Sequence, residues 1–566
     1  MAPDNPTRSE SSIFDYWRSH AEKSPQREAI IHWVAGEPPY RWRWGNLLDA
    51  AEAFALHLKS LGLRQGDVCA LMIRHHRDFY PIYMGICAMG AIPAVLAYPN
   101  PRIHPEKFRQ GLRGMAYHSG LDWVLTEREL DTLTRPLLLN SGGKIRDIVF
   151  PLEWTDSELI NTGFPTPATC LDDPCLLQHS SGTTGLQKAV VLSHHAILNH
   201  IRNYGDSIRI DAADKIISWL PLYHDMGLIA AFYFPLTLGI PVIQIDPFEW
   251  VVAPIIFLEA ISQEMATLSW LPNFAYNLMA DRIHEDDLSH IRLDSIRMLI
   301  NCSEPVRGES HDKFFQRFQP YGLRREALSA CYAMAEATFA VTQTAPGNEA
   351  KKLSVDRDYL LQGRVVATDS RDNCRICVSS GRPLAGCDLR IVNQHGKILP
   401  EGQVGEIVIR SVSLFDGYRN NPEKTGEVLR KGWYYSGDYG FFYQGEYCVI
   451  GRKKDIIIIA GKNLYPEDVE DAVSEVQGIL PGRVIAFGIE DDISGTEQVC
   501  VVAETAVAGA KGQKDLRLRI VEACMRIDVT ISRVYLAPPR WLIKSSSGKP
   551  SRKANKDRAL SDLTWK

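Results

Sequence analysis

The 566-residue chain has no uninterrupted apolar run of membrane-spanning length. Two nearly uncharged stretches, 79–102 and 226–245, approach the roughly 20 residues that a span requires. Pro81, Gly90 and Pro93 cut the first, and Pro235, Gly239 and Pro241 cut the second. Each therefore reads as a buried helix, a break and a buried strand, and no membrane span is expected. The first residues, Met-Ala-Pro-Asp-Asn-Pro-Thr-Arg followed by Ser-Glu-Ser-Ser-Ile-Phe-Asp-Tyr-Trp, lack the continuous apolar core of a secretory signal. Excess charge is missing too. A formal net charge of −5 argues against bulk attraction to nucleic acid or to an anionic membrane. Nor is there a cysteine framework: the 12 cysteines are scattered, which in so large a chain implies reduced thiols and a cytoplasmic setting. Cys374 and Cys377 form a lone C-x-x-C without a second pair or nearby histidines, and the pair is read as incidental.

What remains is an ordinary globular composition, 45% hydrophobic and 23% charged, in a chain long enough for two or three units. The segment beginning Gly90-Ala-Ile-Pro parallels Gly239-Ile-Pro: an apolar helix ends at glycine, and proline opens a β-rich run. That joint belongs to an α/β layer, and its double use predicts two related subdomains. Residues 68–73 read as a buried strand after the Gly66-Asp67 turn. Residues 410–438 carry the Gly, Asn and Pro punctuation of smaller β structure. Charge clusters at 451–454 before Asp455-Ile-Ile-Ile-Ile, which places a boundary between residues 1–452 and a domain-sized 453–566.

The stretch 180–188, Ser-Ser-Gly-Thr-Thr-Gly-Leu-Gln-Lys, suits a nucleotide triphosphate. Glycines let backbone N–H groups approach phosphate oxygens, hydroxyls add donors, and Lys188 supplies a cation. It is not the G-x-x-x-x-G-K-[ST] loop, because its glycines are only three apart. In order downstream come Leu-Pro-Leu-Tyr-His-Asp-Met-Gly-Leu (220–228), Ser-Glu-Pro-Val (303–306) and Tyr-Ala-Met-Ala-Glu-Ala-Thr (332–338). Tyr-Ser-Gly-Asp (435–438), Gly-Arg-Lys-Lys-Asp (451–455) and Ser-Ser-Gly-Lys (546–549) follow. Over nearly its whole length the chain resembles adenylate-forming ligases, and among them most closely the fatty acyl-AMP ligases.

The resemblance implies an α/β fold. A large N-terminal domain has two pseudo-repeated α/β subdomains and a small β-barrel-like subdomain, and a small mobile α+β C-terminal domain follows. It also implies a reaction in which a carboxylate attacks the α-phosphorus of ATP and expels pyrophosphate, with Mg²⁺ as cofactor. Alignment and charge neutralisation matter more there than a general base. Ser180, Ser181, Gly182, Thr183, Thr184, Gly185 and Lys188 match the loop that clamps the phosphates. Glu336 matches the magnesium ligand, with Thr184 as a second metal contact. Ser303, Glu304 and Pro305 would line the adenine pocket and Tyr332 would stack on the base, within a nucleotide-binding run of Ala333, Met334, Ala335, Glu336, Ala337 and Thr338. Asp438 and Arg452 match ribose contacts, and Lys549 matches the catalytic lysine bridging carboxylate and α-phosphate. Lys454 matches the hinge, and Gly461 would line a thiol tunnel. The tail holding Lys549 also contains Arg540, Lys544, Arg552, Lys553, Lys556 and Arg558 against Asp557, a patch suited to an acidic partner.

For the acyl pocket the resemblance implies His224, Asp225, Met226 and Gly227, with His224 as a gate counted among the catalytic residues, and Trp270, Phe274 and Tyr276 as walls. A structural histidine and plain core aromatics are the competing readings. Apolar neighbours at 229–234, in place of an aspartate for a substrate ammonium, favour an uncharged acyl tail. The segment between Thr342 and Arg390, with Ser-Val-Asp-Arg-Asp-Tyr-Leu-Leu-Gln-Gly-Arg-Val-Val at 354–366, resembles the insertion that marks acyl-AMP ligases and hinders CoA use. The implied acceptor is the phosphopantetheine thiol of an acyl carrier protein supplied in trans, for an enzyme expected to be free-standing. The alternatives are an acyl-CoA ligase and a non-catalytic acyl-adenylate or nucleotide-binding module. The chain departs from the pattern at Cys302 and Ala333, where glycine is common, and at Pro550, where Ile or Val is usual.

Overall fold

Both helix–glycine–proline–strand joints fold as their sequences read. Helix Phe79–Ala88 leads through Gly90, at φ +64°, into strand Ile92–Val95, and helix Phe234–Leu238 leads through Gly239, at φ +70°, into strand Val242–Ile245. The left-handed turn at each glycine reverses the chain within two residues. The computed structural model describes residues 12–99, 105–140, 142–155, 169–180, 188–370, 373–459, 462–491, 496–544 and 550–562. Ser181, Gly182, Thr183, Thr184, Gly185, Gly461 and Lys549, and the side chain of Ser180, lie outside the described residues.

The two joints feed different sheets. Strands Ile92–Val95, Val68–Met72, Trp123–Thr126 and Asp147–Val149 form a four-stranded parallel sheet. A nine-stranded sheet runs, edge to edge, through Arg382–Pro383, Ala340–Gln343, Leu328–Ala333, Met298–Asn301, Leu268–Leu271, Ile216–Ser218, Val242–Ile245, Glu28–Trp33 and Tyr40–Arg43. Its strands from Leu328–Ala333 through Glu28–Trp33 are mutually parallel and almost continuously buried, as expected where helices cover both faces, while Ala340–Gln343 runs antiparallel. One contiguous apolar core joins the two sheets. No described helix is long and apolar enough to cross a membrane.

Antiparallel structure follows. Strands Cys387–Val392, Gly405–Ser411, Trp433–Tyr443, Leu429–Arg430 and Glu446–Arg452 form a five-stranded sheet. Beyond the turn Lys453–Asp455, strands Ile479–Asp491, Thr496–Thr505 and Ile531–Ala537 pack with helices Pro466–Ser474, Ala510–Met525 and Arg552–Asp562 around apolar clusters of their own.

The insertion-like segment is an antiparallel hairpin, Lys352–Asp356 with Cys374–Val378, carrying the short helix Arg357–Leu361. Val355, Leu360 and Cys377 of this segment share an apolar cluster with Phe441, Ile450 and Tyr465. Arg375 spans the same junction. Its guanidinium lies 3.1 Å from Asp468 and 3.1 Å from the Ile450 carbonyl oxygen, over the Tyr465 ring. Arg307 forms a second ion pair, with Asp471. Helix Pro466–Ser474 is thus held from two sides.

Candidate active site

Strand Leu328–Ala333 ends in a tight turn, Ala335–Ala337, that carries Glu336 at the carboxyl end of the strand. Thr338 next to it adopts φ +67° and ψ −56°, a costly conformation for a non-glycine residue. Complete burial and a 2.8 Å hydrogen bond from its hydroxyl to the Ser413 carbonyl hold it there. Ser303, at φ +67°, is a second strained residue at the end of the neighbouring strand. Strain at two adjacent strand ends marks a backbone shaped for contact rather than for stability.

Tyr332 and Asp438 meet beside this turn. The Tyr332 hydroxyl donates to Asp438 Oδ2 at 2.5 Å, and Arg452 Nε reaches Oδ1 at 2.7 Å. Register pairing of Asp438 with Arg452 across two antiparallel strands makes the second contact local to the sheet. The Ser436 hydroxyl accepts the Asp438 N–H at 3.0 Å and fixes its backbone. Asp438 is 6% exposed, whereas the Arg452 side chain is 53% exposed, so the pair presents a cation to the open side. The Asp438 charge pushes the Arg452 guanidinium further into its protonated form, and burial raises the Tyr332 phenol well above its ordinary value.

Glu336 is tied to Lys188 by a residue the sequence did not single out. The Tyr418 hydroxyl donates to Glu336 Oε1 at 2.7 Å, and the Lys188 ammonium sits 4.5 Å above the Tyr418 ring.

 Strand Gly417–Tyr418 pairs antiparallel with Lys188–Ser193, which sets the ring over the lysine. Burial lowers the Lys188 ammonium below its ordinary value, while the Glu336 charge opposes that shift. Glu336 Oε2 has no hydrogen-bond partner among the described residues. The pairing of Ser180 with Lys188 makes residues 181–187 the link between the two strands of a hairpin opening beside Tyr418 and Glu336.

The other expected residues divide into two groups. His224 and Asp225 enter the wide helical turns of Met226–Tyr233, where the Asp225 side chain accepts the Met226 N–H at 2.9 Å. A Cβ at Gly227 would stand 2.3 Å from the Pro221 carbonyl oxygen, so this turn requires glycine. Just before it, Leu220 and Tyr223 help to line a cleft with His75, Tyr80, Tyr98 and Gln244. The cleft lies beyond the carboxyl ends of strands from both parallel sheets, the usual ligand position in open α/β layers. Tyr223 and His224 are in ring contact at 5.0 Å. Trp270 and Tyr276 instead face the interior, both fully buried: Trp270 Nε1 donates to the Tyr204 hydroxyl at 2.8 Å, and Tyr276 packs on His311 and Phe314. Phe274 is 39% exposed and sits edge-on to the stacked Trp219 and Trp250. Its N–H donates to Glu304 at 3.1 Å, while Cys302 and Ser303 contact the Met226 sulfur. Lys454 is exposed in the turn joining the five-stranded sheet to the smaller domain, and its neighbour Lys453 is paired with Glu406 at 2.8 Å.

Glu336, joined to Lys188 through Tyr418, and the Tyr332–Asp438–Arg452 group form one polar site at the end of strand Leu328–Ala333. The chain belongs to the AMP-binding enzyme family, whose model matches residues 17–419. It is 30% identical to the medium-chain-fatty-acid–[acyl-carrier-protein] ligase JamA of Moorena producens, over 95% of this chain and 93% of that protein. It is 29% identical to a putative acyl-CoA synthetase of Caulobacter vibrioides, over 92% and 91%. One of the fatty acyl-adenylate ligase structures from E. coli and L. pneumophila superposes with a TM-score of 0.89 at 26% identity, covering 98% of each chain.

Proposed function

We propose that this protein activates a fatty acid with ATP, forming acyl-AMP and pyrophosphate, and passes the acyl group to the phosphopantetheine thiol of a carrier protein. The observation that carries the first step is the grouping at strand Leu328–Ala333 and the turn after it: Tyr332 bonds Asp438, which faces Arg452, and Glu336 is joined through Tyr418 to Lys188, with the Glu336 charge also acting on Arg452. Asp438 would accept the ribose hydroxyls and Arg452 would donate to the same sugar. Lys188 and the hairpin link 181–187 would hold the phosphates, and Lys549 would bridge the attacking carboxylate and the α-phosphate. The reaction forms a bond between a carboxylate oxygen and the α-phosphorus and breaks the bond from that phosphorus to the oxygen that leaves with pyrophosphate, so fixed positive charge and alignment supply the catalysis. A carboxylate with one oxygen engaged by Tyr418 suits Mg²⁺, which takes one or two carboxylates and fills its remaining positions with phosphate oxygens and water. Bound there, the ion would neutralise phosphate charge.

The cleft at Tyr80, Tyr98 and Tyr223, next to His224, is where an apolar tail would enter, and with a volume of about 40 Å³ it would have to widen to admit one. Each buried methylene contributes about 0.8 kcal/mol, so a chain of moderate length binds tightly without a charged anchor. The carrier-protein acceptor is supported by the hairpin Lys352–Asp356 with Cys374–Val378, which clasps the smaller domain. CoA is the competing acceptor, favoured by the likeness to the acyl-CoA synthetase.

One competition reaction tests the reading: the protein, ATP, Mg²⁺, mixed fatty acids, CoA and a holo acyl carrier protein, read by mass spectrometry. Acyl-AMP and acylated carrier without acyl-CoA is the expected result. Dominant acyl-CoA would assign the second step to CoA, and absence of any acyl-AMP would overturn the first.

A further inference from the structure

Arg552 stands in a basic stretch of sequence, yet its side chain is only 16% exposed and meets carboxylates rather than solvent. Its Nη1 lies 2.7 Å from Asp455, and its Nη2 lies 2.8 Å from Glu470 and 3.3 Å from Glu467. Its Nε donates to the Ala486 carbonyl at 3.1 Å. These partners come from the turn beside Lys454, from helix Pro466–Ser474 and from strand Ile479–Asp491. A planar guanidinium satisfies all four at once, which a point-like ammonium does not.

Close by, fully buried Asn555 fixes the chain on both sides of 545–549. Its Oδ1 accepts the Ile543 N–H at 2.7 Å, and its Nδ2 donates to the carbonyls of Ile543 and Ser551 at 2.8 and 2.9 Å. The Ser551 N–H donates to the Ile543 carbonyl at 3.0 Å, and Lys544 pairs with Pro550. The neck of the Lys549 segment is therefore closed, and Arg552 is the first residue of the helix that continues from it.

We propose that Arg552 is a positioning residue for adenylation: it ties the chain following Lys549 to Asp455, the carboxylate adjoining the hinge residue Lys454. The inference rests on the roles assigned above to Lys549 and Lys454. All the groups that Arg552 binds belong to the part of the chain beyond Lys454, so the anchor travels with that body and holds the start of helix Arg552–Asp562 at a fixed distance from the pivot. Purely local stabilisation does not require the hinge-side partner; a stiff lever arm does.

The test compares Arg552→Lys, Asp455→Asn, the double variant and Lys549→Ala in the full chain. Four quantities are read: adenylation kcat, KM for ATP, transfer from presynthesised acyl-AMP to the carrier, and hydrogen exchange over residues 543–555. Displacement of a reacting group by an ångström costs about 100-fold in rate, so Arg552→Lys is expected to lose roughly 10- to 100-fold in adenylation kcat. KM and transfer should stay near the parent while exchange over 543–555 rises. Asp455→Asn should reproduce this pattern, and the double variant should be no worse than either, as for two ends of one contact. Parent-level adenylation in Arg552→Lys would overturn the proposal. So would adenylation and transfer falling together in step with thermal stability. Undiminished adenylation by Lys549→Ala would instead overturn the role of the lysine; an inactive Lys549→Ala beside a fully active Arg552→Lys removes the present proposal alone.

Discussion

Substituting Arg375 by glutamine removes one side of the clasp on helix Pro466–Ser474 while keeping a polar, shorter side chain. In the parent, Arg375 and Asp468 side chains are 12% and 9% exposed, so their 3.1 Å contact is poorly screened by water. A hydrogen bond between charged partners contributes about 1.5–3 kcal/mol. Taking about 2 kcal/mol, and tenfold for every 1.4 kcal/mol, the docked orientation should lose about 30-fold against released ones. Arg307–Asp471 and the apolar cluster around Tyr465 remain, so the domain should sample release rather than detach. Two assays read this: acyl-CoA formation from acyl-AMP and CoA, and trypsin cleavage at Lys453-Lys454. Both should rise, by up to about 30-fold. Parent-level CoA acylation together with parent-level cleavage would refute the reasoning, because the clasp would then not control the domain.

Asp438→Asn keeps the shape beside Tyr332 but removes the charge that Arg452 faces; KM for ATP should rise about tenfold, for a loss of about 1.5 kcal/mol. Steady-state kinetics check this, and an unchanged KM would count against the ribose assignment. Glu470 gives a pH dependence: burial pushes its carboxyl from the ordinary 4.5 up to about 7, Arg552 pulls it down, and Glu467 pushes it up. Asp455 also belongs to this charge cluster through Arg552, and the Ala486 N–H donates to Glu470 at 2.9 Å. Because the folded value is raised, its stabilising effect is whole below pH 4.5 and is lost as pH climbs through about 7. The melting temperature of the parent relative to Glu470→Gln should accordingly decline across that interval, and a flat difference would contradict the shift.

How far the sequence could be read depended on whether the relevant partners were near in the chain. The glycines at 90 and 239 announced their joints because helix, turn and strand are contiguous there. Asp438 and Arg452 were legible through ordered motifs, and hairpin register then brought them together. Tyr418 was not, since its position over Lys188 depends on a pairing between strands more than 200 residues apart in the chain. Trp270 and Tyr276 were expected as pocket walls, with plain core as the competing reading, and aromatic spacing alone does not separate the two; both are fully buried among aromatic neighbours. Arg552 read as part of a cationic surface because its sequence neighbours are basic, yet its carboxylates lie 82 to 97 residues earlier.

The strand Glu28–Trp33 lies in the large sheet beside Val242–Ile245, not with the four-stranded sheet that follows it in the chain. During synthesis its parallel partner leaves the ribosome roughly 200 residues later, about 10–40 s at ordinary elongation rates. Until then Ile30 and Ile31, wholly buried in the finished molecule, lie in a strand whose one paired neighbour is Tyr40–Arg43. A two-stranded hairpin is at best marginally stable in water. The nascent chain thus carries an apolar edge through much of its own translation, and the slow codons, chaperones or temperature that govern that interval bear on how much enzyme a cell obtains.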